Sequence, residues 1–209
     1  MIRGTVLDIE TVADPNNPPI LVESMTGKAK RKSPEDIIGE FPLSPLTGKI
    51  VCFASCGVIV DVDGSITITK PESIVSHDEI DVLNHISDKF SNLTQLDTII
   101  TFNGKSFDLP FIKVRCALAG IRIHHPFRET KYDMDGHFDV RMALTNFDQY
   151  GKGRLDEWAL KFGITDSLNS ENSVAELFEA DNLEAIRLKC ENDVNITAEL
   201  FSKIFRYYL

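Results

Sequence analysis

The stretch 5-TVLDIETV-12 places two carboxylates inside an apolar, β-branched run of the kind that forms a buried β-strand. Residues i and i+2 of a strand point to the same face, so Asp8 and Glu10 are expected to project together at the strand's end. Two like charges repel each other, and burying either one without a partner is unfavourable. The pair therefore needs a divalent cation, a basic partner or open water around it.

The remainder of the chain predicts strands and helices around this first strand. Apolar, β-rich runs predict further strands at residues 49–60, 65–70 and 97–104, and the turn chemistry of 61-DVDG-64 joins the first two as a hairpin. Apolar residues recur at helical spacing over residues 78–91, 109–120, 154–163 and 182–206. The stretch 138-FDVRMAL-144 predicts a short strand or an extended entry to a helix.

Antiparallel strands followed by alternating helices and strands are typical of a mixed sheet with helices on its faces. The chain has 209 residues, of which 43% are hydrophobic, so we expect residues 1–209 to form one α/β domain that buries a substantial core. Residues 13–47 are rich in Pro, Asn, Ser and Lys, lack strong periodicity and predict a long loop.

Composition narrows the class of protein. No stretch is long and apolar enough to span a bilayer, and the opening residues MIRGTVLD lack the apolar centre of a signal peptide, so we expect a cytoplasmic protein without a membrane partner. The cysteines are scattered without a CxxC pair, which favours buried free thiols over a zinc ribbon or a disulfide framework; they are Cys52, Cys56, Cys116 and Cys190.

The distribution of charge leaves two interpretations open. The formal net charge of −10 taken alone argues against nucleic acid, because most proteins that bind it are basic. Against this average, the run 28-KAKRK-32 concentrates positive charge in Lys28, Lys30, Arg31 and Lys32. The run is either a solvated loop or part of a rim that grips a nucleic-acid strand, and charge alone favours the solvated loop.

Two further acids lie in patterns that suit a site. Asp108 follows the strand predicted at residues 97–104, and α/β folds build sites in the loops after strand ends. Alternatively, Asp108 caps a helix that begins at Leu109-Pro110, and both roles can coexist. Asp193 lies at the edge of the apolar face of the last helix, where any single acid is most simply an exposed one. The functional interpretation depends on the four acids as a set.

That set resembles the DEDD exonuclease superfamily: Asp8 and Glu10 in 7-LDIET-11, Asp108 in 103-NGKSFD-108 and Asp193 on the last helix follow its motif order. More closely, the sequence is similar to stand-alone bacterial and phage proteins related to the proofreading exonuclease domain of family B DNA polymerases. The similar stretches are 48-GKIVCF-53, 102-FNGKSFDLP-110, 138-FDV-140, 155-LDEWALKFGI-164 and 190-CENDV-194. The resemblance covers nearly the whole chain apart from the segment before Thr47, and it implies a ribonuclease H-like mixed sheet flanked by helices.

The resemblance also implies an activity. A 3′–5′ exonuclease hydrolyses the phosphodiester bonds of a single-stranded nucleic acid from its 3′ end and releases nucleoside 5′-monophosphates, with DNA favoured here over RNA. A polymerase or a repair protein is a further partner that the resemblance admits. Asp8, Glu10, Asp108 and Asp193 would be the catalytic and metal-binding residues. Two Mg²⁺ or Mn²⁺ ions roughly 3.5–4 Å apart would balance these four carboxylates and clamp the attacking and leaving oxygens.

One position departs from the superfamily pattern. Its members carry a tyrosine four residues before the last Asp, or a histidine five before it, whereas this chain has Lys189 and Leu188 there. Lys189 lies one helical turn before Asp193 and should point toward the pocket, where it would stabilise developing charge as a catalytic residue. Alternatively, it pairs with Asp193, displaces a metal and marks a non-catalytic module that binds nucleic acid or a protein partner. A third hypothesis, an unassigned α/β domain with solvated acids, leaves Asp8 and Glu10 unexplained.

Four residues near the acids are candidates for substrate contact. Thr11 follows the first acidic pair, and Asn103, Lys105 and Phe107 precede Asp108. Asn103 would bond sugar or phosphate, Lys105 would offset phosphate charge and Phe107 would stack on a base. Core packing is the favoured alternative for Phe107, and an Asn-Gly turn is an alternative for Asn103.

Overall fold

The computed structural model describes residues 2–27, 33–94, 97–124, 130, 132–148, 151–164 and 172–207. These residues form a six-stranded sheet with strands β1 (Ile2–Ala13), β2 (Gly48–Val60), β3 (Ile66–Ile68), β4 (Glu72–Val75), β5 (Asp97–Thr101) and β6 (His137–Asp139). The helices around it are α1 (Pro19–Thr26), α2 (Pro34–Gly39), α3 (Glu79–Ser91), α4 (Asp108–Leu118), α5 (Val140–Leu144), α6 (Leu155–Lys161), α7 (Val174–Glu179) and α8 (Leu183–Ile204).

The sheet is mixed, as the sequence predicts. Strand β2 is antiparallel to β1, and its other edge pairs antiparallel with β3 and with β4. On the opposite side of β1, β5 and β6 continue the sheet in parallel, so the strand order is β3-β2-β1-β5-β6. The acidic strand β1 is therefore central, and the α/β fold class predicted from the sequence is confirmed.

The side chains of β1 alternate between two cores. Leu7 and Ile9 are buried in a core with α3 and α4 on one face of the sheet. Val6 and Val12 belong to the core on the opposite face, where α8 packs together with α5, α6 and α7. Because Asp8 and Glu10 share the face of Val6 and Val12, the strand's pleat turns both acids toward α8.

The strongly periodic elements agree with their predictions, and the stretch at 138–144 is strand β6 followed at once by α5. The predicted end of α6 is also observed, because Gly163 takes the left-handed conformation (φ 71°) just beyond the helix. Asp108, however, is not the cap of α4. Phe107 occupies the N-cap position and Asp108 is the first helical residue, which frees its carboxylate for a partner elsewhere.

The segment at 13–47 departs from the predicted long loop. It contains α1 and α2, and a single 3-10 turn at Phe41–Leu43 follows. The sequence signal for α2 is local: Ser33 accepts a hydrogen bond from the backbone N–H of Asp36, whose side chain accepts from the backbone of Ser33 in return. Such short helices have too few turns to create an apolar period, so periodicity misses them. Residues 28–32, which carry the basic run, lie outside the described residues.

The structure describes the state of the cysteines and the character of the helices. The four cysteines are all buried and free, which confirms the prediction of structural thiols. Among the described residues, no helix has the length and apolarity needed to cross a bilayer.

Candidate active site

Three carboxylates meet on the face of the sheet that α8 covers. Asp8 and Glu10 come from β1 and Asp193 comes from α8, and one oxygen of each lies within 4.8 Å of one oxygen of the others. Glu10 is buried, whereas Asp8 and Asp193 are half-buried. A β-bulge directly after Glu10 interrupts the pairing of β1 with β2 at this point.

Asp108, the first residue of α4, contacts the backbone of the same strand. Its Oδ1 accepts a hydrogen bond from the backbone N–H of Ile9 at 3.2 Å. The parallel pairing of β1 with β5 ends at the Val6–Ile100 pair, so the Ile9 amide lies beyond the end of the ladder. The buried Asp108 carboxylate takes the place of a strand partner there, between the positions of the two β1 acids.

The carboxylates of the pocket repel one another, and burial and this repulsion change their pKa values. Burial raises the pKa of Asp8 well above its usual value, and the nearby Asp108, Glu10 and Asp193 charges raise it further. Burial also raises the pKa of Asp108, to about 7. The thiol of Cys190 on α8 lies 3.7 Å from Asp8 Oδ2 as a weak donor, and burial keeps this thiol protonated by raising its pKa. The hydrogen-bond donors to Asp8 and Asp108 are therefore weak or neutral and do not offset the effect of burial on these two carboxylates.

Lys189 supplies positive charge at one side of this pocket. Its Nζ donates to Glu10 Oε1 at 2.5 Å and to Asp193 Oδ2 at 2.9 Å. Burial lowers the pKa of Lys189, but Glu10 and Asp193 more than offset this effect and hold the pKa above its usual value. Lys189 thus points into the pocket, as its helical position predicts, and stays an ammonium.

Asp139 is a residue of the site region that the sequence interpretation did not include. Its buried carboxylate ends β6 and accepts from the backbone N–H groups of Asn103 at 3.0 Å, Lys105 at 3.1 Å and Met142 at 3.1 Å. The first two bonds fix the loop that leads into Asp108, so Asp139 is a positioning residue. The stretch 138-FDV-140 contained the available signal, an Asp at the end of a short strand.

The side chains predicted to contact substrate have partners within the protein. Asn103, at φ 70°, accepts from Arg141 Nη1 at 2.9 Å, so Arg141 is a further residue near the site that the sequence analysis missed. Lys105 Nζ donates to the backbone carbonyl of Thr130 at 3.0 Å and to that of Asp133. The side chains of Asn103 and Lys105 therefore connect the loop before Asp108 to other parts of the protein.

The other two candidates are also engaged. Phe107 packs against Phe111 with ring centroids 5.5 Å apart, beside the core under α3 and α4, as the packing alternative expected. Thr11 Oγ1 donates to the carbonyl of Pro42 at 2.7 Å and ties the end of β1 to the segment that carries α1 and α2. Contact of these residues with a nucleic-acid strand stays a prediction, as does that of Lys28, Lys30, Arg31 and Lys32, which lie outside the described residues.

A mixed sheet with an acidic pair on its central strand and a third acid on the last helix defines an α/β fold of the ribonuclease H-like exonuclease class. The chain belongs to the family described as predicted 3′–5′ exonucleases related to the exonuclease domain of PolB, whose model matches residues 45–207. The resemblance to this family found in the sequence is thereby confirmed. No curated protein is a significant match to the sequence.

Two solved structures share the fold of this chain. The family B DNA polymerase from the hyperthermophilic archaeon Pyrobaculum calidifontis matches with a TM-score of 0.64 at 18% identity over 99% of this chain and 25% of the polymerase. E. coli exonuclease I in complex with a dT13 oligonucleotide matches with a TM-score of 0.56 at 12% identity over 99% of this chain and 43% of that protein. The chain thus spans less than half of either protein, and at these identities the likeness shows the fold alone.

Proposed function

We propose that residues 1–209 form a single exonuclease domain that depends on a divalent metal ion and hydrolyses single-stranded DNA from its 3′ end to nucleoside 5′-monophosphates. The observation that carries the proposal is the convergence of Asp8, Glu10 and Asp193 oxygens within 4.8 Å, with Asp108 bonded to the backbone of the same strand. Membership of a family of predicted 3′–5′ exonucleases supports the reaction type.

The residues of the pocket fit a hard divalent cation. The three clustered ligand groups are all carboxylates, the type of oxygen ligand that Mg²⁺ and Mn²⁺ prefer. Burial and mutual repulsion raise the pKa of Asp8, which is the signature of a carboxylate cluster that lacks counter-charge. Asp8, Glu10 and Asp193 would therefore hold the metal, with Asp108 close by, whereas the count of two ions predicted from the sequence depends on the position of Lys189.

The chain's own groups then have distinct roles. When bound, a divalent ion polarises the scissile phosphate and activates the attacking water. Asp108 holds the backbone of β1 through the Ile9 amide and so keeps the two β1 acids in register with α8. Asp139 orders the loop before Asp108, and the ammonium of Lys189 offers a fixed positive charge to the developing negative charge on phosphate.

The preference for single-stranded DNA is supported by analogy of fold. Exonuclease I was solved with a dT13 oligonucleotide, and the other fold match is a DNA polymerase. We expect a DNA strand that enters this pocket to pass the loop of Asn103, Lys105 and Phe107 and to pass Thr11, near the end of β1. A polymerase or a repair protein that associates with this chain would supply the 3′ ends of DNA.

A direct assay tests the proposal. Single-stranded DNA labelled at its 5′ end is incubated with the protein and either Mg²⁺ or Mn²⁺, and we expect a ladder that shortens progressively from the 3′ end. The products should be nucleoside 5′-monophosphates, and EDTA should abolish the reaction. The same assay on RNA measures the preference for DNA. A preparation that degrades nothing with either ion, while its fold is intact, would contradict the proposal.

The pocket also favours one alternative function, because the ammonium of Lys189 bonds two of the three clustered carboxylates. In that alternative, the chain is a module that binds nucleic acid or a protein partner and does not cleave. Electrophoretic mobility shifts with the same labelled strand separate the two functions. Retarded but intact DNA in the presence of Mn²⁺ would favour the binding module, whereas shortened DNA favours the nuclease.

A further inference from the structure

Lys189 occupies a position that a cation would otherwise fill. Its Nζ lies between Glu10 Oε1 and Asp193 Oδ2, at 2.5 Å and 2.9 Å, and so bridges the acid of the central strand to the acid of the last helix. Glu10 and Asp193 are carboxylates, the oxygen ligands that Mg²⁺ prefers, so these two residues would otherwise hold the second ion. An ammonium and a divalent ion cannot share that gap, because both the volume and the mutual repulsion forbid it.

The side chain is held in this position by its surroundings. Only 30% of the Lys189 side chain is exposed, so its stem is mostly covered and its charged end points inward. Asp193 is on the next turn of the same helix, so the bridge is built into α8 and needs no rearrangement of the backbone. The ammonium therefore replaces an ion as a tethered, permanently available charge.

In the described part of the chain, the bonds to Asp8 and Asp108 come from weak or neutral donors. Asp8 receives the weak Sγ–H donor of Cys190 at 3.7 Å, and Asp108 receives the neutral amide of Ile9 at 3.2 Å. Asp8 still lies within 4.8 Å of Glu10 and Asp193, so the three carboxylates are close enough to hold one ion together. The positive charge of Lys189 is thus bonded to Glu10 and Asp193, whereas Asp8 and Asp108 have only weak or neutral donors.

We propose that Lys189 is a built-in cation that takes the place of the second metal, so that the pocket binds one divalent ion instead of two. The inference rests on the proposed metal-dependent nuclease, and it specifies the cofactor requirement of that same site. It replaces the count of two ions predicted from four carboxylates, a count in which the charge of Lys189 was not included.

The experiment counts Mn²⁺ ions bound to the purified chain, by isothermal titration calorimetry and by the electron paramagnetic resonance signal of free Mn²⁺. The wild type should bind one ion. Lys189→Met, which keeps the length of the stem and removes the charge, should bind two, and Lys189→Gln serves as a second variant if the first does not fold. The matched control is Lys203→Met, an exposed lysine on the same helix, which should bind one ion.

Thermal unfolding gives an independent readout. Without metal, Lys189→Met should melt below the wild type, and saturating Mn²⁺ should raise its melting temperature by more than it raises that of the wild type, because two ions then stabilise the folded state. Two ions bound by the wild type, or an unchanged count in both lysine variants, would overturn the inference.

The outcome is separable from that of the proposed function. If the wild type degrades DNA and binds two ions, Lys189 does not replace a metal ion, but the proposed nuclease function is still supported. If the wild type binds one ion and degrades nothing, and Lys189→Met binds two ions, Lys189 does replace a metal ion and the proposed nuclease function is contradicted.

Discussion

Near the C-terminal end of β1, an arginine cluster and a lysine cluster each place one basic side chain between two carboxylates, and the two differ in how much negative charge is left without a partner. In the first, Arg115 of α4 bonds Glu79 of α3 at 2.5 Å and Asp14, just after β1, at 2.9 Å. In the second, Lys189 bonds Glu10 and Asp193. The arginine cluster joins three parts of the fold and leaves its side chains at most 15% exposed.

The surplus charge distinguishes the two clusters. Glu79 also accepts from the backbone N–H of Ile50 at 2.7 Å, and Arg115 also donates to the carbonyl of Pro45, so the arginine cluster is closed by its own hydrogen bonds. The lysine cluster adds Asp8 and Asp108, which have weak or neutral donors. An ion cluster whose charged groups are all hydrogen-bonded within the protein stabilises the fold. Carboxylates that lack a charged partner favour the binding of an external cation.

The largest difference should be in catalysis. Asp8→Asn keeps the shape of the side chain and removes a charge that would hold the metal, so we expect the rate of DNA degradation to fall by roughly 10³-fold. The matched control is Asp14→Asn in the arginine cluster, which should keep the rate within about threefold of the wild type at a temperature where it is folded. Equal rates for Asp8→Asn and the wild type would remove Asp8 from the active site.

The free energy of unfolding should depend more strongly on the arginine cluster than on the lysine cluster. Arg115→Met leaves two carboxylates buried without their counter-charge and should lower the free energy of unfolding by about 3–5 kcal/mol. Lys189→Met should cost about 1–3 kcal/mol without metal, because Lys189 is 30% exposed and Arg115 only 11%. Urea unfolding with and without Mn²⁺ measures both losses, and Mn²⁺ should restore stability in the lysine variant alone. Rescue of Arg115→Met by Mn²⁺ would show that the two clusters do not differ as argued.

The pH dependence of stability should expose the surplus charge near Asp108. Burial raises the pKa of this group to about 7 in the folded protein, whereas it ionises near its usual value of ~3.9 in the unfolded chain. Between these values the folded state holds a proton that the unfolded state has released, so the contribution of Asp108 to stability falls as the pH rises from about 4 to 7. In EDTA, the stability of Asp108→Asn relative to the wild type should therefore increase by about 1–4 kcal/mol over this range. A relative stability that is flat with pH would contradict the raised pKa.

The smallest effect is expected from a residue that acts on the site through its neighbours. Asp139→Ala removes the acceptor for the amides of Asn103 and Lys105, so the loop before Asp108 should loosen. We expect a loss of about 10–100-fold in rate, by analogy with residues that orient metal ligands. Asp139→Asn, which keeps one acceptor oxygen, should lose less. If the rate of the alanine variant equals that of the wild type, Asp139 only stabilises the fold.

The sequence predicted the elements whose signal lies within the element. The long apolar run of β2 and the 3.6-residue period of α8 extend over enough residues to be recognised. The four-residue edge strand β4 and the short helices α1, α2 and α7 were missed, because an element of four to eight residues is too short to show a clear apolar period. Their signals are local caps, such as the Ser173–Glu176 box at the start of α7.

The candidate site divides in the same way. The shared face of Asp8 and Glu10, and the position of Lys189 one turn before Asp193, follow from the geometry of a strand and of a helix, so both can be predicted from the sequence. The bond from Lys189 to Glu10, 179 residues away along the chain, and the bond from the Ile9 amide to Asp108 cannot. These two contacts depend on where β5 stops pairing with β1 and on how α8 packs across the sheet. Register and packing are properties of the whole core, and no local pattern encodes them.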